Sequence, residues 1–257
     1  MPSIDVPSPP EVLKILAHDL RWTLIKALTI SDYQVNELVD RVEQPINLVS
    51  YHLKQIRDYD LVTARRSEAD GRDVYYSLNL ERLRSTFLDA GMALHPSLAA
   101  NLLIPAPRIE ALDKRLRILF VCTHNSARSQ MAEGILRHLG GASVEAFSAG
   151  RHPTTVRAEA IKAMDDFNID IRSQQTNHLQ DYAEQSFDYV ITVCDMAREV
   201  CPSFPGDGQA LHWGYADPTS VADPDERLKA FQKTAKLLYN RIQLFLMNLR
   251  HETDHTN

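Results

Sequence analysis

Cys122 and Arg128 are separated by five residues, in Cys122-Thr123-His124-Asn125-Ser126-Ala127-Arg128-Ser129. Before them, Arg117 to Val121 is a short apolar run of the kind that makes a buried strand, and Ser129 to Leu139 has helical spacing. A loop joining a strand to a helix N-terminus can point its backbone N–H groups at a tetrahedral oxyanion. The same field favours the thiolate of Cys122. Arg128 can offer a planar fork to two oxyanion oxygens. Thr123, His124, Asn125, Ser126, Ala127 and Ser129 would then form the wall of the anion cradle. The alternative is a buried cysteine beside a surface arginine, in which case bound oxyanions would not protect Cys122 from alkylation.

Two further features bear on this site. Asp217-Pro218 can place a carboxylic acid on a loop over the anion, where it could protonate a leaving oxygen. Taken alone, Asp-Pro is ordinary turn chemistry. Cys194 and Cys201 complete the set of three cysteines. On a continuous helix their α-carbons would stand about 10 Å apart at ~1.5 Å rise per residue. A disulfide spans roughly 7 Å at most, so the pair can bond only if the segment unwinds. Pro202, Pro205 and Gly206 weaken the helix there. The pair can also be plain core residues, or a metal site with His212, although close C-x-x-C spacing is missing.

The elements that must hold these residues alternate. After the strand at Arg117 to Val121 and its helix, Val144 to Phe147 and Tyr189 to Val193 read as strands, Ala158 to Phe167 as a helix, and Ala210 to Trp213 as a fourth strand. A long helix from Asp223 to about Arg250 carries Leu228, Phe231, Ala235, Leu238 and Ile242 on one face. Alternating β and α elements imply a parallel sheet with helices around it, and ligands beyond the carboxyl ends of its strands.

The first half has a different pattern. Val12, Leu13, Leu16 and Leu20 have helical spacing, as do Trp22, Ile25 and Leu28, and then Val35, Leu38 and Val39. A further helix starts near Pro45 and runs to about Asp58, with Val49, Leu53 and Ile56 on one face and Asn47, Ser50, Tyr51 and Lys54 on another. Leu61 to Arg66 and Arg72 to Leu78 flank an Asp70-Gly71 turn and predict a hairpin. Glu81 to Leu94 predicts one more helix. The fold class expected is therefore two domains: a mainly α winged helix-turn-helix over residues 1–92, a proline-bearing linker over 93–115 (Pro96, Pro105, Pro107), and an α/β domain over 116–257 with a four-stranded parallel sheet.

Composition sets the frame. With 44% hydrophobic residues the chain is ordinary globular material, and its net charge of −6 argues against a broadly cationic nucleic-acid coat. No apolar run is long enough to span a bilayer. Met1 to Pro10 lacks the charged-then-apolar pattern of a signal peptide, so a soluble, cytoplasmic protein with no membrane partner is expected. Three cysteines, all in the second half, suit catalysis or metal binding better than a disulfide scaffold.

Val49-Ser50-Tyr51-His52-Leu53-Lys54, the Leu61-Val62 exit, and Gly71-Arg72 before Val74-Tyr75-Tyr76 resemble the ArsR-type winged-helix repressors over roughly residues 10–90. The resemblance implies a homodimer built through this domain and an operator DNA partner. Asn47, Ser50, Tyr51 and Lys54 would face the major groove, and Arg65, Arg66 and Arg72 would contact phosphates. Between Gln44 and Tyr76 basic and acidic residues cancel, and the domain has no cysteine with which to sense arsenite. His18, His52 and His95 are scattered. The plainer alternative is a domain that only dimerises an enzyme.

Residues from 117 to about 248 resemble the low-molecular-weight protein tyrosine phosphatase superfamily, and within it the thioredoxin-coupled arsenate reductases. The carrying stretches are Cys122 to Gly134, Ser148-Ala149-Gly150, the Cys194/Cys201 pair, and His212-Trp213-Gly214 followed by Asp217-Pro218. The resemblance implies that Cys122 attacks arsenate, Arg128 and the loop hold it, and Asp217 protonates the leaving oxygen. Cys194 then attacks Cys122, Cys201 attacks Cys194, and thioredoxin reduces the last disulfide. His124 and Ala127 stand where many relatives have Gly and Cys. Asn125, Glu133 and Ser148 match residues that hold a potassium ion in some reductases, whereas Asn177 stands where that pattern has Asp. No tightly bound cofactor and no resident metal are expected. The alternative within the same fold is a phosphotyrosine phosphatase, which needs neither Cys194 nor Cys201.

Overall fold

The computed structural model describes residues 8–95 and 115–254, with side chains as far as residue 249. These form two compact units, most of residues 8–95 in one and residues 115–254 in the other. Of the expected linker, residues 93 and 94 belong to the last helix of the first unit. Residues 96–114, with all three of its prolines, lie outside the described residues.

The first unit runs α1 (Glu11–Leu16), α2 (Asp19–Ile30), β1 (Tyr33–Gln34), α3 (Val35–Val42), α4 (Ile46–Asp58), β2 (Val62–Arg66), β3 (Val74–Leu78) and α5 (Leu80–Leu94). Leu20, which spacing groups with Val12, Leu13 and Leu16, belongs to the next helix. His18 breaks the run, its extended backbone ending one helix and its Nδ1 accepting from Leu20 N (3.2 Å) to start the other. A side chain that satisfies an orphan N–H outweighs continued apolar periodicity. Pro45 precedes α4 as its N-cap. Val49, Leu53 and Ile56 are buried and Asn47, Ser50, Tyr51 and Lys54 exposed, as the two-faced pattern predicts. Strand β1 was not legible. It is two residues long and pairs antiparallel with β3, Tyr33 opposite Tyr76, in the sheet order β1-β3-β2.

The second unit runs β4 (Leu116–Cys122), α6 (Arg128–Gly140), β5 (Val144–Gly150), α7 (Ala158–Asp165), β6 (Tyr189–Thr192), α8 (Asp195–Val200), β7 (Gln209–His212) and α9 (Pro224–Asp254). Its four strands are parallel in the order β5-β4-β6-β7. Central strand β4 is flanked on both edges and covered on both faces, which is why Ile118, Leu119, Phe120 and Val121 form an unbroken buried run. Helix α9 lays Phe231, Ala235, Leu238 and Ile242 into the core, while Leu228 is only half-buried. Phe231, Leu238 and Ile242, fully buried, each contribute about 1.5–3 kcal/mol of transfer free energy.

Parallel strands end at a common edge. Cys122 closes β4 opposite Gly150, the end of β5, and Val121 lies opposite Thr192, the end of β6. The chain leaving each of those strands therefore starts from one edge of the sheet.

Candidate active site

Cys122 is buried, with Ser129 Oγ 2.8 Å and Asn125 N 3.1 Å from its sulfur. Residues 123–127 link it to α6. The loop reverses at Asn125, whose φ of 48° lies in the left-handed region, a conformation Asn tolerates better than most residues. The loop carbonyls are drawn off by a neighbouring segment. His152 N donates to Thr123 O (2.9 Å), Thr154 N to His124 O (3.0 Å) and Arg157 N to Ser126 O (2.9 Å). With these carbonyls engaged, the loop N–H groups are available toward the cysteine, the arrangement an anion cradle requires.

Arg128, the first residue of α6, is 6% exposed. Its Nη1 donates to Tyr215 O (2.7 Å) and its Nη2 stands 3.1 Å from Asp217 Oδ2. The other oxygen of Asp217 accepts from Thr219 N (3.0 Å) and Thr219 Oγ1 (2.9 Å), which fixes the carboxylate over the loop. Cys122, Ser126, Ala127, Arg128 and Asp217 thus share one pocket of about 200 Å³, to which His124, Thr154, Arg157 and Thr219 also contribute. Sequence reasoning missed Thr154, Arg157 and Thr219. The polar stretch after β5 carries no periodicity, and only the close approach of Gly150 hints that the chain doubles back on the loop.

Cys194 and Cys201 flank a short helix. They do not lie two turns apart on one helix. Helix α8 is six residues long, and the cysteines bracket it in extended conformation, Cys194 before and Cys201 after. The Pro202 side of the segment stops the helix early. All three thiols are free. Thr123 Oγ1 lies 3.4 Å from Cys194 Sγ, tying the second cysteine to the loop of the first. Burial pushes the Cys194 thiol up, opposed by the charge of Arg128. Burial alone pushes Cys201 up to about 11. His212 is engaged elsewhere: its Nδ1 lies 2.9 Å from Thr192 Oγ1 and its Nε2 3.1 Å from Asp195 Oδ1, in a buried cluster. Among the described residues no group of three or more His, Cys, Asp or Glu side chains is placed to hold a metal.

In the first unit the four predicted groove-facing residues share the exposed face of α4, where Lys54 Nζ pairs with Asp58 Oδ2 (2.8 Å). On the hairpin, Arg72 is paired with Asp70 (2.6 Å), Arg66 Nη1 donates to Gly71 O (3.2 Å), and Arg65 lies over the Tyr75 ring. His18 and His52 are not scattered: their rings are 4.3 Å apart. His95 caps the end of α5.

A cysteine carried into a helix N-terminus by the central strand of a parallel sheet places the second unit among the α/β proteins that bind ligands beyond the carboxyl ends of their strands. More specifically, the chain belongs to the low molecular weight phosphotyrosine protein phosphatase family, whose model matches residues 117–255. An arsenate reductase of Halalkalibacterium halodurans is 37% identical over 129 residues, 50% of this chain and 93% of that protein. One of Bacillus cereus is 38% identical over 134 residues, 49% of this chain and all of that protein. Among solved structures, an arsenate reductase in its oxidised state is 26% identical and covers 51% of this chain and 97% of its own, with a TM-score of 0.46. No described helix is long and apolar enough to cross a membrane.

Proposed function

We propose that the second unit reduces arsenate to arsenite by a three-cysteine relay, and that the first unit is a dimeric, winged-helix DNA-binding domain. The observation that carries the enzymatic part is the pairing of Thr123 Oγ1 with Cys194 Sγ, because it brings a second thiol to the loop of the first. A phosphatase has no use for that thiol.

In this reading the Cys122 thiolate attacks arsenic and Asp217 gives a proton to the departing oxygen, which leaves as water. Arg128 and the loop N–H groups hold the remaining oxygens. The Cys194 thiolate then attacks Cys122 Sγ. The sulfur–arsenic bond breaks with its electron pair going to arsenic, so arsenite leaves and a Cys122–Cys194 disulfide remains. The Cys201 thiolate attacks Cys194 Sγ and frees Cys122. Two thiols have supplied two electrons, and a dithiol such as thioredoxin restores them. Unwinding α8 lets its two flanking cysteines meet. At six residues it is too short to be stable alone. Similarity to the two curated arsenate reductases supports the substrate.

Exposure of Asn47, Ser50, Tyr51 and Lys54 on one helix face supports the DNA-binding part. A protein working with thioredoxin and operator DNA belongs in the cytoplasm.

The deciding test follows arsenate-dependent NADPH oxidation with thioredoxin and thioredoxin reductase. Wild type turns over, while Cys194→Ser and Cys201→Ser do not. No turnover in wild type, with p-nitrophenyl phosphate hydrolysis kept in all three, makes the second unit a phosphatase instead.

A further inference from the structure

Behind the loop runs a hydrogen-bond chain that the proposed relay does not use. Glu133 on α6 has a side chain only 9% exposed. Its Oε2 accepts from Ser148 Oγ (2.6 Å), which accepts from Asn125 Nδ2 (2.7 Å). Asn125 Nδ2 also donates to Ser129 Oγ (3.0 Å), the hydroxyl beside Cys122 Sγ. Asn125, Ser129 and Ser148 have no exposed surface. The chain ends on Asn125, the residue that must be kept at positive φ for the loop to turn.

A carboxylate this buried needs a counter-charge. Burial pushes its proton affinity up, and the Ser148 hydrogen bond and Arg137 oppose that. A potassium ion would fit if these residues presented a ring of free oxygens, and they do not. Glu133 Oε1 is paired with Arg137 Nη2 and its Oε2 with Ser148. Asn125 Oδ1 already accepts from Gln130 Nε2 (3.1 Å) and Asn177 N (2.7 Å). Asn177 turns its Nδ2 toward Ser148 O (3.1 Å), placing an N–H where a cation needs oxygen. The donor set does not suit a bound alkali cation.

We propose that Arg137 is a built-in counter-cation which, through Glu133, Ser148 and Asn125, sets the Cys122 loop without a metal ion. One helical turn separates Arg137 from Glu133, so the cation is supplied by the same helix that begins at the loop. Arg137 is a positioning residue: it touches neither the pocket nor the sulfur.

The inference rests on the same loop as the proposed function, so the test reads the loop itself and leaves arsenate out. In full-length protein carrying Cys194→Ser and Cys201→Ser, Cys122 is the only thiol. Its alkylation rate with iodoacetamide, and the Tm, are measured in potassium chloride and in choline chloride at equal ionic strength. With Arg137 present both quantities are the same in the two salts. Arg137→Gln changes the alkylation rate several-fold and lowers Tm, and Arg137→Lys restores both toward wild type. A saturable response of the Arg137 protein to potassium overturns the proposal, as does wild-type behaviour of Arg137→Gln. If Arg137→Gln does not fold, the potassium response of the Arg137 protein and the properties of Arg137→Lys still decide.

Discussion

Gly150 and Asn125 meet so closely that a Cβ on the glycine would lie 2.7 Å from the Asn125 backbone nitrogen and 2.9 Å from Thr123 O. The end of β5 is thereby pressed against the loop that begins at the end of β4. A methyl group at residue 150 would push against the Asn125 nitrogen and Cβ and the Thr123 carbonyl, all of them part of the loop proposed to hold the anion. Gly150→Ala should destabilise the protein by about 1–3 kcal/mol, the usual cost of overpacking, and weaken phosphate protection of Cys122. Chemical denaturation and competitive alkylation measure the two effects. Wild-type values for both would mean that the loop yields freely.

Asp217 holds Arg128 with one oxygen and Thr219 with the other. Asp217→Asn keeps the shape and removes the acid. Hydrolysis of p-nitrophenyl phosphate should lose ~10²–10⁴ in kcat, the range for removing a general acid, and Tm should fall because the buried Arg128 loses an ionic partner. An unchanged kcat would assign the proton to another group.

The Cys201 thiol is pushed from an ordinary value near 9 up to about 11 by burial. A raised value means that the folded state favours the neutral thiol. The stability this contributes is fully present below pH 9 and drains away as pH climbs toward 11. Wild type should therefore lose stability over that window faster than Cys201→Ser. Parallel unfolding curves at pH 8, 9, 10 and 11 would reveal it, and identical slopes would contradict it.

Lys54 projects from the proposed DNA-reading face and forms a surface pair with Asp58, an interaction worth about 0–1 kcal/mol and easily exchanged for a phosphate. Lys54→Ala should weaken operator binding and make the plot of log K against log salt shallower by about one. Fluorescence anisotropy on a palindromic operator across a salt series checks this. A slope unaltered by the substitution would remove Lys54 from the interface.

Much of the catalytic unit could be read directly from the chain. Cys122, Arg128 and the strand and helix around them are contiguous, so local pattern fixes their relation: a buried run, a loop of fixed length, a helix start. The strands were found because a parallel sheet covered on both faces demands apolar runs such as Ile118 to Val121. Two-residue β1 was missed because a strand that short has no period. The relation of Cys194 to Cys201 was misjudged because spacing cannot tell a continuous helix from a six-residue helix with extended ends.

The sequence by itself determined the identities of the groups that can do chemistry, the alternation of elements and the faces of the long helices, because these depend on residue type and short-range periodicity. Only the tertiary structure decided which distant groups meet. The bracing of loop carbonyls by residues 152–157, the grip of Asp217 on Arg128, and the path from Arg137 to Asn125 all cross between elements. Such contacts are set by strand order and by the angle at which a helix lies on the sheet. Neither leaves a mark on the local pattern of residues.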